Sequence, residues 1–231
     1  MPKIQKTFIF VLLLFPLLFV ACNKEEKKVE KVFLEGNASE ENYTIAQKYF
    51  DEGKYEKALE FHLLQLEEDL KYYEELSLEI ALDYNSIGLD YGELKNHEKA
   101  LEYYLKTMKI DEIVLDENSI ERSTIYYNVA SSYDALGEHH NAIKYYAKAL
   151  AIDKVQLSIV HKDVLAEYEK LAIAYEKISK FNNSLRYWKK ALRYKEHEYG
   201  KYDLDTNETR AEVLKLEKIV KAEKELLKKI K

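Results

Sequence analysis

Apolar and small residues recur at helical spacing along most of this chain. Tyr126 to Asp153 holds two amphipathic patterns joined by a short turn at Gly137-Glu138-His139. Small residues stand where two helices must approach closely, at Ala130, Ala142 and Ala149, with Tyr126, Tyr133, Tyr145 and Tyr146 around them. Such a hairpin cannot bury its apolar face alone and requires copies beside it. The copies are present. Ala58, Ala100, Ala142 and Ser184 stand 42 residues apart, as do the small residues Ala46, Gly88, Ala130 and Ala172. A tyrosine follows each of the latter by three (Tyr49, Tyr91, Tyr133, Tyr175), and an aliphatic residue precedes each (Ile45, Ile87, Val129, Leu171). The pattern predicts four helix hairpins over 39–204, turning at Gly53-Lys54-Tyr55, Lys95-Asn96-His97, Gly137-Glu138-His139 and Ser179-Lys180-Phe181. It predicts Ser119 as an N-cap and Gly200 as a C-cap. A final helix over 205–231 carries Val213, Leu216, Ile219, Val220, Ala222, Leu226, Leu227 and Ile230 on one stripe. It is suited to close the stack with one face and meet water with the other.

At these residues the chain resembles the tetratricopeptide repeat family. Tyr84-x-x-Ile87-Gly88-x-x-Tyr91, followed by Ala100-x-x-x-Tyr104, follows that family's order of aromatic and small positions. The family's repeat is about 34 residues and ends its second helix with proline. Here Leu70, Glu112, Lys154 and Glu196 stand at those places, leaving the second helices free to run on for roughly two turns. The longer period is similar to that of kinesin light chains and bacterial signalling scaffolds, and Leu192 to Val213 is similar to their linker. The resemblance implies an all-α, right-handed superhelix of four hairpins with a capping helix, whose first helices line a concave groove for a protein or peptide. Carried over by register, the groove holds Tyr43, Phe50 and Asp51 in the first hairpin and Asn85 and Glu93 in the second. The third contributes Tyr127, Asn128 and Asp134, and the fourth Glu169, Lys170 and Glu176. Asp51, Glu93, Asp134 and Glu176 fall at nearly the same point of successive helices and form a ladder of acids. The expected partner is an extended basic or lysine-bearing segment, steered by charge.

Composition narrows the choices. With 6 Gly and 2 Pro in 231 residues, long helices and short turns are favoured. The net charge is −6, an acidic balance that disfavours nucleic acid as partner. Tyr103-Tyr104, Tyr145-Tyr146 and Tyr187-Trp188 recur with the repeat. They read either as a platform for carbohydrate or peptide or, since every copy shares the position, as core between helices, and core is the expectation. His97 and His139 occupy the turn site filled by Tyr55 and Phe181 and read as packing residues. No nucleophile motif, metal-ligand spacing or phosphate-cradling glycine loop occurs, so neither catalytic residue, metal nor cofactor is expected. A regular solenoid without insertions is also expected to form no pocket, which argues against a wall-polymer enzyme.

The first residues are of a different kind. Lys3 and Lys6 precede an apolar run from Phe8 to Ala21 that is too short to span a bilayer and has the layout of a secretory signal, residues 1–21. It ends Leu18-Phe19-Val20-Ala21-Cys22, and Cys22 is the only cysteine. This end resembles the lipobox of bacterial lipoproteins, which implies that Cys22 is lipidated and becomes the N-terminus. Phe19 departs from the more usual leucine. Residues 22–38 then form a charged tether whose sixteen residues after Cys22 reach roughly 55 Å when extended. These features predict a membrane-anchored interaction scaffold of a bacterial cell envelope, not an enzyme. It would stand alone or dock into a signalling, secretion, pilus or outer-membrane assembly complex. Intact-mass analysis of membrane-extracted protein is expected to show loss of residues 1–21 plus acyl mass. Cys22→Ala is expected to release a soluble protein of unchanged fold, and its retention in the membrane fraction would place the anchor elsewhere.

Overall fold

The computed structural model describes residues 40–157 and 161–230. The signal, Cys22 and the tether lie outside the described residues. Those described form helices joined by turns and contain no strand. The chain divides into two compact units at Glu75/Leu76.

The first unit holds one hairpin, α1 (Glu40–Asp51) and α2 (Tyr55–Asp69). Ala46 and Ala58 are fully buried between its helices. Gln65 ties the pair together, its Oε1 accepting from the Tyr43 amide at 3.1 Å and its Nε2 donating to Asp69 at 2.8 Å.

The second unit holds three hairpins and a closing helix. These are α3 (Leu78–Glu93) with α4 (His97–Val114), α5 (Ile120–Ala135) with α6 (His139–Gln156), and α7 (Lys162–Lys177) with α8 (Phe181–Glu198), followed by α9 (Leu204–Ile230). Each helix packs against its sequence neighbours, the arrangement of a solenoid. Side chains start the first helices. Ser77 Oγ accepts from the Ile80 amide, Ser119 Oγ from the Arg122 amide, and His161 Nδ1 from the Asp163 amide. Ser119 thus caps as the sequence predicts.

Inside every hairpin an aromatic pair stacks across the two helices. Tyr91 and Tyr103, Tyr133 and Tyr145, and Tyr175 and Tyr187 each lie 5.7 Å apart between centroids, as do Tyr49 and Phe61 in the first unit. The recurring aromatic run is therefore core: Tyr104, Tyr146 and Tyr187 are buried. The small residue opposite is a matter of space. A Cβ on Gly88 would sit 2.6 Å from the Tyr104 ring, whereas Ala130 and Ala172 fit fully buried at the equivalent place.

The inner turns share one backbone device. Gly53, Lys95, Gly137 and Ser179, one per hairpin, all adopt positive φ, between 56° and 79°. Gly200 does the same just after α8, as its predicted capping role requires.

Two expectations need correction. The second helices α4, α6 and α8 run 18 residues, but α2 stops after 15. The Asp69 carbonyl accepts from the amides of Tyr72 and Tyr73 in a turn, so the segment around Leu70 leaves the helix and the connection to the second unit lengthens. The stripe on α9 is also buried only in part. Val213, Leu216 and Val220 are buried together with Thr206 and Thr209, while Ala222, Leu226, Leu227 and Ile230 are exposed. With 27 residues against the 18 of α8, α9 outruns its support by more than two turns.

Thermal denaturation tests this backbone account. Lys95→Gly and Ser179→Gly are each expected to stabilise by about 1 kcal/mol, because an L-residue is strained in the left-handed region. Gly88→Ala is expected to destabilise by about 1–3 kcal/mol through overpacking against Tyr104, despite the better helix propensity of alanine. A neutral Gly88→Ala would contradict the packing described.

Candidate functional site

The predicted lining residues have distinct fates. On α1, Tyr43 lies against His62, Phe50 packs edge-on to Tyr55 at 5.3 Å, and Asp51 accepts from Gln47 at 3.0 Å. In the second unit the first helices α3, α5 and α7 are cross-linked by predicted lining residues. Asn128 Nδ2 donates to Asn85 Oδ1 at 3.2 Å, and Lys177 Nζ reaches Asp134 at 3.3 Å. Both links run from one residue to another 43 further on. Asp134 also meets His139 Nδ1 at 2.8 Å, so His139 is a hydrogen-bonding partner as well as a turn residue. Glu176 turns toward α8, accepting from Trp188 Nε1 at 2.7 Å and Ser184 Oγ at 3.0 Å. Glu93 is exposed and Lys170 half-buried. Tyr127 lies edge-on to Tyr146 at 5.4 Å, and Glu169 contacts Lys195 at 2.5 Å. The acids on these helices thus split between inward partners, at Asp134, Glu169 and Glu176, and the exposed Glu93.

The second unit does form pockets, contrary to the expectation from its regularity. A cleft of about 370 Å³ opens among α3, α4 and α5, lined by Leu78, Leu82, Asn85, Asp111 and Glu121 among others. A second, of about 310 Å³, opens among α5, α6 and α7, with Tyr127, Asp153, Asp163 and Glu167 in its wall. A third, of about 520 Å³, is lined by residues of α7, α8 and α9, including Glu169, Lys195 and Asp205. Each lies where one hairpin meets the next element.

Sequence reasoning missed the polar residues at the bottom of these clefts. Asp111 and Asp153 are 5% and 6% exposed, and Glu167 1%. Burial pushes the Asp111 carboxyl up to about 6, against the pull of Arg122. Burial, the adjoining Asp153 charge, a hydrogen bond donated to Asp153 and the charge of Asp163 raise Glu167 from 4.5 to about 9. Asp153 is raised in turn, chiefly by burial. Glu167 therefore holds a proton at neutral pH. A signal did exist. Asp69, Asp111, Asp153 and Lys195 recur 42 residues apart, a polar position in the register of buried ones.

The class defined by this geometry is a helical-hairpin solenoid with clefts between its repeats. Residues 78–155 match the family model for the tetratricopeptide repeat, so the second and third hairpins are tetratricopeptide repeats, and the chain has the fold of that family's kinesin-light-chain-like members. A putative kinesin light chain from Podosopora anserina with nearly identical TPR-like repeats is 17% identical, with 79% of this chain and 93% of that one aligned and a TM-score of 0.64. BtubC (BKLC) from P. vanneervenii is 20% identical over 78% of this chain and 73% of its own, with a TM-score of 0.65. The apo form of RapI is 20% identical over 79% of this chain and 65% of its own, with a TM-score of 0.63. At such identities the likeness is one of fold. No curated protein sequence matches the chain.

Among the described residues no helix is long and apolar enough to cross a membrane.

The raised Glu167 pKa has a thermodynamic consequence. Between pH 4.5 and about 9 the folded protein keeps a proton that the unfolded chain releases, so stability falls as pH rises through that window. Melting temperature is expected to decline from about pH 5 to about pH 9, and Glu167→Gln to flatten that decline. An unchanged slope would show that Glu167 is ionised in the fold.

Proposed function

We propose that this chain is an interaction scaffold that holds an extended protein segment across the first helices of its second unit. The observation that carries this reading is the pair of adjacent clefts, one repeat apart, between α3, α5 and α7. Their walls combine half-exposed leucines, Leu78 and Leu82, with Tyr127 and acids. Apolar walls supply contact area and a few polar groups fix orientation, and a repeat of the wall suits a repeat along an extended ligand. Glu93 and Glu121 at the surface, with Asp111 and Asp153 in the cleft walls, give this face a negative bias, which favours a basic partner. The tetratricopeptide fold supports a role in protein interaction, and the reading is of a binding protein, not an enzyme.

The N-terminal sequence extends the proposal. A lipid on Cys22 would fix the scaffold to a bacterial membrane, with residues 23–38 as spacer. In that setting the chain would serve as a docking component of an envelope signalling, secretion, pilus or outer-membrane assembly complex.

The test uses exposed acids, since Asp134 is engaged in the fold. Glu93→Lys combined with Glu121→Lys is expected to leave helicity unchanged and to reduce capture of a partner from detergent-solubilised envelope at least tenfold. Native capture is expected to weaken as salt rises. Capture equal in variant and native protein, with no salt dependence, would exclude an acidic binding surface.

A further inference from the structure

Resting on the peptide-groove reading, we infer that the cleft among α5, α6 and α7 receives the ammonium group of a lysine side chain from the bound partner. Asp153 and Glu167 are almost fully buried in its wall, yet beside the hydrogen bond between the two carboxyls, Asp153 Oδ1 and Glu167 Oε2 have no partner among the described residues. An unpaired buried acceptor is costly. Among the described residues no lysine or arginine lines this cleft. The adjoining titratable groups are Asp163 with His161 at 3.3 Å, Tyr127 from α5, and Tyr168 and Tyr194, whose hydroxyls feel Glu167 and Asp163 respectively.

The next junction shows what such a place accepts. Forty-two residues on, Asp153 becomes Lys195, Glu167 becomes Thr209, Asp163 becomes Asp205 and Tyr127 becomes Glu169. There Lys195 is 4% exposed. It contacts Asp205 Oδ1 at 2.8 Å, Thr209 Oγ1 at 3.0 Å and Glu169 Oε1 at 2.5 Å. The fold thus supplies its own buried lysine at one junction, and at the preceding one it presents acids in the same register without a cation. An ammonium has three donors on a compact charge, which suits Asp153, Glu167 and Asp163, and its apolar stem can lie along Tyr127 and Ala166. The described residues contain no group of three side chains arranged to hold a metal ion. Arrival of the cation favours ionised Glu167, so binding releases its proton.

The probe is a blocked pentapeptide with one central lysine among alanines, titrated into the full chain and followed by NMR and calorimetry. Amide shifts are expected around residues 123–127 and 163–167. Replacing the lysine by norleucine, or by arginine, is expected to weaken binding at least tenfold, as is Asp153→Asn with Glu167→Gln. Binding near pH 7.5 is expected to release up to one proton, read as a dependence of binding heat on buffer ionisation, and affinity is expected to rise toward pH 9. Importing the next junction's pair, Asp153→Lys with Glu167→Thr, is expected to raise the melting temperature and abolish lysine-peptide binding. Equal binding of the norleucine or arginine peptide along the first helices, or binding without proton release, would overturn the lysine site and leave the groove reading standing. No peptide binding on these helices would overturn both.

Discussion

An aromatic ring stacked on another across each hairpin is the contact on which the rest of this structure depends. The pairs Tyr91/Tyr103, Tyr133/Tyr145 and Tyr175/Tyr187 sit twelve residues apart in sequence and face each other at one distance. Each contributes about 0.5–1.5 kcal/mol beyond the area it buries. Its larger effect is to set the helix separation. The ring next to the stacked pair faces the small position: a Cβ on Gly88 would meet Tyr104, whereas alanine fits at the equivalent Ala130 and Ala172. The turns follow from the same constraint, since the chain must reverse within a few residues and does so through one left-handed residue per hairpin.

Most of this architecture was legible in the sequence, for a physical reason. Core helices obey a strict period, and small and aromatic residues at that period are scarce elsewhere. The four inner turns could be read from the repeating register, and the Ser119 cap and the role of Gly200 from local chemistry. What could not be read depends on neighbours. The early end of α2 is a matter of turn bonds to the Asp69 carbonyl, and the exposed end of α9 reflects the length of α8. The candidate site divides the same way. Register placed Tyr127, Asn85 and Asn128 on the facing helices, but gave no warning that Glu176 turns inward to Trp188. Asp153 and Glu167 escaped notice because an acid is read as solvated unless its partners are known, and those partners come from different hairpins.

Lys195 shows how the repeat has been used as a template for variation. At one register position the chain carries an acid in three hairpins and a base in the fourth. The base is closed over by α9, whose Thr206 and Thr209 are buried with it. The last hairpin therefore ends in a satisfied ion cluster, while the one before it ends in a carboxyl pair facing an open cleft. Polar groups inside an otherwise apolar stack are what distinguish its junctions from one another.

That distinction bears on how the stack comes apart. In a linear array each unit is held only by its neighbours, so overall cooperativity is as strong as the weakest coupling between them. The seam between the third and fourth hairpins gains its internal charge late, when Glu167 loses its proton near pH 9. In alkaline solution the array has a built-in line of parting there. Residues 161–230 can then loosen as a block from the hairpins before them, and a ligand that neutralises the seam would act as a stitch across it.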